Sequence, residues 1–279
     1  MSRDKKCISC GKRLKLIGRS EDHKIFQCKW CGLGVTVGDG HSEQNKEYHR
    51  DKVYIQAGEQ FRNIFAKRVE IISKFGNIGR VLEVGSSTGL LLSLLKEKGW
   101  EVFGIEPSGK SSSVSRQRGI PTLTTTFELA ELPPNSFDLI IFNHVLEHMG
   151  DLLKTLKKAH KVLKKEGLIF IDVPNFASLS ARLHGVGWQY ILPKEHRWHF
   201  TPTSFFLILE KAGFWPIYWE AHSGIWGYGN PKKELWDSFK GRKKRFFWNI
   251  LSAIPAFILT KLKAGTGLTV VGEKVTGNK

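Results

Sequence analysis

No cysteine occurs after position 31 in this 279-residue chain, and the four present are Cys7, Cys10, Cys28 and Cys31. A disulfide framework running through the fold is thereby excluded. No apolar run of secretion-signal type follows Met1, since charged residues and then cysteines come first. The expected compartment is the cytoplasm, where cysteine pairs speak for metal rather than disulfides. No apolar segment reaches the ~20 residues of a membrane span, and no internal repeat or low-complexity stretch is evident. Acidic residues are scarce, 26 against 43 lysines and arginines, for a formal net charge of +17. That excess is concentrated at the ends: residues 1–40 hold +5 and residues 231–279 hold +8, leaving +4 for the 190 residues between. Basic ends around a nearly neutral middle suit docking on RNA or on an anionic membrane surface, or serve solubility alone.

What is present describes a folded protein: 41% hydrophobic, 11% aromatic and 25% charged residues. The length fits one α/β domain of about 200 residues with a small module attached. Nine tryptophans fall mostly beyond position 187, which points to aromatic surface or a lined pocket in the last third.

The cysteines form two Cys-x2-Cys pairs separated by 17 residues, a spacing that suits four thiolates on one zinc ion. Gly11 follows the first pair, and Gly32 and Gly34 the second, where knuckle turns need positive φ. Two short strands are expected between the knuckles, at 14–17 and 24–27. Four thiolates close the tetrahedron, so this zinc is read as structural, supplying folding free energy that so small a module lacks.

Residues 41–78 read as a linker running into an amphipathic helix. Residues 79–279 then alternate short apolar runs with helical patterns: strands at 80–84, 101–105, 121–125, 138–142 and 167–173, and helices at 90–98 and 151–164. Such alternation builds a parallel sheet with helices on both faces. The first strand runs through Val81-Leu-Glu-Val-Gly-Ser-Ser-Thr-Gly89 into a helix, a cofactor-binding turn at a helix N-terminus. Ser87 stands where a dinucleotide fingerprint needs its middle glycine, which disfavours a pyrophosphate. Glu106, about 20 residues beyond Gly85, is placed to accept both hydroxyls of a ribose.

Taken in order, E-V-G-x-S-T-G, G-I-E-P-S, L-P-P-N-S-F-D-L-I-I-F-N-H-V-L-E-H and L-K-K-E-G-L-I-F-I-D-V-P-N resemble the class I S-adenosylmethionine-dependent methyltransferases over roughly residues 79–220. The resemblance implies a seven-stranded, mostly parallel Rossmann-like sheet with an antiparallel last strand. It also implies S-adenosylmethionine as cofactor, with Glu83, Gly85, Ser87 and Gly89 around the methionine moiety, Glu106 on the ribose, Glu128 near the adenine, and Asn143 and His144 facing the methyl group. Methyl transfer is an in-line displacement that needs alignment and, for a hydroxyl or carbon acid, a base. Histidine is the candidate near neutral pH, and the expected bases are His199, His196, His144 and His148.

His144, Glu147 and His148 would share one face of a helix, close enough to act as bases or to ligate a divalent ion. Quinone-ring O-methyltransferases are similar here, with a Glu at the position of His144. The bland reading is that this stretch shapes the pocket floor. Residues 185–200 resemble a substrate-side lid, in which His196 and His199 alternate with Trp188, Tyr190 and Trp198. Residues 240–264 pair the basic run at 240–245 with an apolar stretch containing Pro255, as in an interfacial helix or a helix packed on the domain edge.

The expected activity is methyl transfer to an oxygen or carbon of a small-molecule or lipid-linked acceptor, with peripheral contact at the inner membrane face. Two rivals stand beside it: an RNA methyltransferase that docks through the ribbon and basic ends, and a non-catalytic interaction protein that keeps the cofactor fold.

Overall fold

The computed structural model describes residues 6–38, 58–240 and 246–275. The expected linker at 41–57, the basic run at 241–245 and the side chains of Phe246, Phe247 and Trp248 lie outside the described residues. Strands β1 (Leu14–Ser20), β2 (His23–Cys28) and β3 (Gly34–Val37) form an antiparallel meander carrying the cysteine knuckles. Helix α1 (Gly58–Phe75) leads into the main sheet. Then follow β4 (Arg80–Val84), α2 (Leu90–Lys96), β5 (Glu101–Ile105), α3 (Gly109–Gln117), β6 (Thr122–Leu123), β7 (Phe137–Asn143), α4 (Leu152–Val162) and β8 (Leu163–Pro174). The chain closes with α5 (Leu179–His184), β9 (Trp198–His199), α6 (Pro202–Lys211), β10 (Phe214–His222), α7 (Pro231–Phe239), α8 (Phe246–Lys261) and β11 (Gly267–Lys274).

The main sheet has seven strands in the order β10-β11-β8-β7-β4-β5-β6, and β11 runs antiparallel to both neighbours. Successive residues of a strand point to opposite faces, and both faces here are apolar. Leu82, Ile140 and Phe142 pack with Leu156 of α4 and Phe205 of α6. Val81, Leu139 and Ile141 pack with Ile72 of α1 and Leu91 of α2 on the other side. Strands buried on both faces read as continuous apolar runs, which is why this part of the sequence is so legible. Helix starts are equally local: Ser108, Asp151 and Asn230 each accept a backbone N–H as N-caps, and Thr201 with Ser204 forms a capping box ahead of Pro202.

The attachment of the ribbon is a tertiary feature. β9 belongs by sequence to the main domain, yet it pairs with β3 as the fourth strand of the ribbon sheet, Gly34 opposite His199 and Val35 opposite Trp198. The Thr201 hydroxyl donates to the Cys31 carbonyl at 2.6 Å, and Ser9 Oγ donates to the Ser204 carbonyl at 3.0 Å. Segment 185–200, read from the sequence as a lid, is thus the seam that holds ribbon to sheet, with Trp188 and Ile191 packed against Ile25 and Phe176.

No helix among the described residues is long and apolar enough to cross a membrane. Helix α8 nonetheless exposes Leu251 (68%) and Ile254 (73%) while burying Ala256, so one face packs and the other is apolar surface.

Behind the main sheet Arg68 of α1 forms an ion pair with Asp172 of β8, both nearly fully buried, and donates from Nη1 to the Gly227 carbonyl at 2.8 Å. Although burial opposes ionisation, Arg68 and His222 hold Asp172 well below the usual carboxylate range. Arg68→Ala leaves that carboxylate without its cation, and a loss of roughly 3–5 kcal/mol is expected, measured by urea denaturation at neutral pH. A depressed acid stabilises the fold above its unfolded value and loses that contribution below it. The gap between wild type and variant therefore closes as pH falls from about 3.9 toward the depressed value.

Candidate functional site

At the carboxyl edge of the main sheet β4 is followed by Gly85, whose φ of 70° puts it in the left-handed region. A Cβ there would lie 2.6 Å from Val145 Cγ2, so both the turn and the close approach of the β7 loop require glycine. Ser87 adopts φ 46° without being glycine, and its N–H donates to Glu106 Oε2 at 2.8 Å. The other carboxylate oxygen of Glu106 accepts the N–H of Ser108, the N-cap of α3, at 2.8 Å. One side chain thereby ties the loop after β4 to the loop after β5.

Between these loops and the β7 loop lies a cavity of about 440 Å³, within the usual small-ligand range of about 300–1,000 Å³. Glu83, Gly85, Ser87, Glu106, Glu128, Asn143, His144 and His148 all line it. Gly89 does not. It caps α2 with φ 71°, and a Cβ there would collide with Ser115 Oγ, so it supports the turn from behind. Glu83 Oε2 and Asn143 Oδ1 are buried without a hydrogen-bond partner, two acceptors with no donor. Burial, and then the neighbouring Glu106, push the Glu83 carboxyl well above its ordinary range. Lys158 Nζ donates to the carbonyls of Phe127, Glu128 and Ala130, fixing the loop that presents Glu128.

The β7 loop differs from a helix. His144 takes φ 55°, and only a single 3-10 turn, Leu146–His148, follows. His144 and Glu147 meet all the same, Nδ1 to Oε1 at 3.2 Å. Desolvation pulls His144 down, but the hydrogen bond and charge of Glu147 win and raise it. Against its own burial Glu147 is drawn down to about 2, chiefly by His144. His144 is 42% exposed at the side chain and faces the cavity, while Glu147 is 1% exposed behind it.

The other two expected bases lie elsewhere. His199 is buried and hydrogen-bonds through Nε2 to Thr36 Oγ1 at 2.7 Å, a joint between sheet and ribbon away from the cavity lining. His196 is also buried, donates from Nδ1 to the Tyr190 carbonyl at 2.8 Å, and is held down to about 4 by burial. Phe61 and Phe65 of α1, stacked with ring centroids 6.0 Å apart, close the cavity from the side that the sequence reading assigned to a connecting helix. Their i,i+4 spacing on an aromatic stripe was the available signal. Thr126, Leu129 and Met149 also line the cavity and carry no local signature.

In the ribbon Cys7 and Cys31 sulfurs lie 3.5 Å apart and Cys10 and Cys28 sulfurs 3.4 Å apart. Tetrahedral zinc with bonds of about 2.3 Å needs sulfurs about 3.8 Å apart, so all four donors suit one ion with little movement. The four cysteines form one ligand group.

The family described as Methyltransferase domain matches residues 56–217, more than half of the chain. The chain belongs to this methyltransferase family. Among curated relatives, the ubiquinone biosynthesis O-methyltransferase of Bradyrhizobium diazoefficiens is 30% identical over 145 residues, 48% of this chain and 56% of that protein. The corresponding protein of Paramagnetospirillum magneticum is 32% identical over 144 residues, covering 48% and 58%. The chain thus spans just over half the length of these relatives. Among solved structures, an S-adenosylmethionine-dependent methyltransferase from Archaeoglobus fulgidus superimposes with TM-score 0.55 at 20% identity, over 79% of this chain and 99% of that one. A Thermotoga maritima S-adenosylmethionine-dependent methyltransferase gives TM-score 0.55 at 19% identity, over 81% and 99%. Both share the fold.

The methyltransferase cavity fits S-adenosylmethionine on its own chemistry. The unpartnered Glu83 Oε2 and Asn143 Oδ1 match an ammonium donor, and the Glu106 carboxylate lines the same cavity as an acceptor of the kind that ribose hydroxyls need. With an ammonium at that position, Glu83 is expected to govern the pH dependence of binding. An ammonium ligand favours the ionised carboxylate, so binding expels a proton and affinity rises with pH up to the raised value. Calorimetry in buffers of different ionisation enthalpy should show proton release in the wild type and none in Glu83→Gln, with Glu106→Ala losing about tenfold or more in affinity.

The seam makes a second prediction. The Arg197 N–H donates to the Glu147 carbonyl and Trp198 Nε1 to the Met149 carbonyl, so the ribbon sheet reaches the β7 loop through β9. Cys28→Ser is expected to lower the zinc content and to weaken cofactor binding several-fold, although no cysteine touches the cavity. Unchanged affinity in a zinc-depleted chain would show the seam to be passive.

Proposed function

We propose that the chain transfers the methyl group of S-adenosylmethionine to an oxygen of a small acceptor, with His144 as general base oriented by Glu147. The pair at 3.2 Å, open to the cavity on the histidine side, carries the reading. With the Nδ1 proton donated to an ionised Glu147, the lone pair of His144 sits on Nε2, where it can take a hydroxyl proton as the oxygen attacks. Glu147 holds the tautomer. Glu83, Asn143 and Glu106 bind the cofactor, whose sulfonium supplies an activated methyl group. Phe61, Phe65 and Met149 keep water from the reacting atoms.

An oxygen acceptor is supported by the naming of relatives about 30% identical as ubiquinone biosynthesis O-methyltransferases, and by a base that a hydroxyl needs. The apolar cavity wall and the exposed Leu251 and Ile254 of α8 favour an acceptor with a hydrophobic, lipid-like tail.

Incubation with methyl-labelled cofactor tests the reading against phenols and catechols with and without an isoprenoid tail. Label is expected in the tailed compounds. His144→Ala should lose about 10²–10⁴ in kcat while S-adenosylmethionine affinity stays within about twofold. Turnover surviving intact in this variant removes His144 as the base, and label appearing only in RNA overturns the acceptor class.

A further inference from the structure

Adjacent antiparallel strands are ordinarily joined by a hairpin loop of about two to five residues. β10 and β11 pair from Phe214 opposite Lys274 to His222 opposite Gly267, yet residues 223–266 separate them, an insert that carries α7 and α8.

The first stretch of this insert lies along α1. The Gly229 N–H donates to the Asn63 carbonyl at 2.8 Å. The Asn63 side-chain amide engages the backbone of Asn230 twice, accepting its N–H on Oδ1 at 3.0 Å and donating from Nδ2 to its carbonyl at 3.3 Å. The same Nδ2 donates to Glu234 Oε2 of α7 at 3.1 Å. Asn230 in turn caps α7 by accepting the Lys233 N–H at 2.9 Å. Further along α1, Arg68 donates to the Gly227 carbonyl. The approach is tight, because a Cβ at Gly229 would lie 3.0 Å from that of Ala66.

These bonds hold the half of α1 that the core does not. Among its described residues, the buried apolar ones are Val69, Ile71 and Ile72, all in the second half. Phe61 and Phe65, which line the cavity, stand in the first half and are only partly buried. The ion pair of Arg62 with Glu97 of α2 joins exposed side chains, the kind of contact that contributes little. At about 100° per residue, Asn63 points roughly opposite to both rings. The insert therefore holds α1 from behind while the rings face the cavity.

We infer that Asn63 and residues 227–230 are positioning residues for cofactor binding, acting through Phe61 and Phe65. None of them lines the cavity. Their effect is on the aromatic wall, which covers the carboxylates of Glu83 and Glu106 and keeps the local dielectric low, where an ammonium is held more strongly. A wall displaced from the cavity lets water reach that contact. The inference depends on binding of S-adenosylmethionine and is independent of the accepting atom and of His144.

Calorimetric titration with S-adenosylmethionine, arranged as a double-mutant cycle, provides the test. Asn63→Ala is expected to weaken binding about three- to tenfold, the scale of a few lost hydrogen bonds. Gly229→Val, which wedges the insert away from α1, should do the same. In a Phe61→Ala/Phe65→Ala background either change should weaken binding by less than about twofold, since no wall is left to misplace. Hydrogen–deuterium exchange of the ligand-free proteins gives an independent reading: Asn63→Ala should speed exchange at 58–67 and leave 69–75 at the wild-type rate. Circular dichroism checks that each variant is folded. Unchanged affinity in both folded variants, an equal loss with and without the rings, or faster exchange along the whole helix overturns the inference. No reading uses turnover, so such a failure leaves methyl transfer standing. A chain that binds the cofactor but methylates no hydroxyl loses the acceptor reading and keeps this one.

Discussion

The Glu106 carboxylate holds the cofactor end of the molecule together. Parallel strands leave their carboxyl-end loops without ladder partners, and two of those loops must here lie close enough to wall one cavity. Glu106 accepts the N–H of Ser87 from one and of Ser108 from the other, replacing two hydrogen bonds that the backbone would otherwise seek from water. It also helps to explain how Ser87 keeps a left-handed conformation, since the carboxylate bond holds the backbone there. The same negative charge makes Glu83 hard to ionise. A cationic ligand would relieve that penalty, which is the electrostatic support for the proposed ammonium position.

The second constraint is the shared sheet of ribbon and main domain. A module with four cysteines and few apolar residues has little core of its own, and here it borrows β9 and the N-cap of α6. The loan runs both ways. Residues 196–199 contact Thr36 and Val35 on one side and the β7 loop on the other, so the histidines of the segment read as a lid sit at the joint between ribbon and sheet. His199 is committed to the ribbon. His196 is turned toward Glu147 and His148, giving the β7 loop a partner that it lacks in sequence.

Much of the fold was legible because its signals are local. Buried parallel strands read as unbroken apolar runs such as Leu139–Phe142, and the cysteine spacing and the Gly85–Gly89 turn declare themselves within a few residues. The predicted helix at 90–98 ends at Lys96 and the strand at 121–125 shrinks to Thr122–Leu123, differences of the size that end effects produce. The candidate site was legible only in part. Asn143-His-Val-Leu-Glu-His148 reads as helix by its i,i+4 spacing, but the chain must turn sharply to leave β7 under Gly85, and His144 pays with a positive φ. Phe61 and Phe65 could not be placed by pattern, because an amphipathic helix looks alike whether its aromatic stripe covers core or cavity.

By itself the sequence determined most of the strands of the main sheet, the four clustered cysteines, the glycine turn after β4 and the carboxylate at the end of β5. Each depends on residues close along the chain or on a strand period that needs no partner. Tertiary structure alone decided which histidines face the cavity, because four candidates of the same chemistry are told apart only by what surrounds them. His144 meets Glu147 across a tight turn, His148 and His196 meet across 48 residues of chain, and His199 meets Thr36 across 163. Contacts at such separations are set by how layers pack, and no local pattern encodes them.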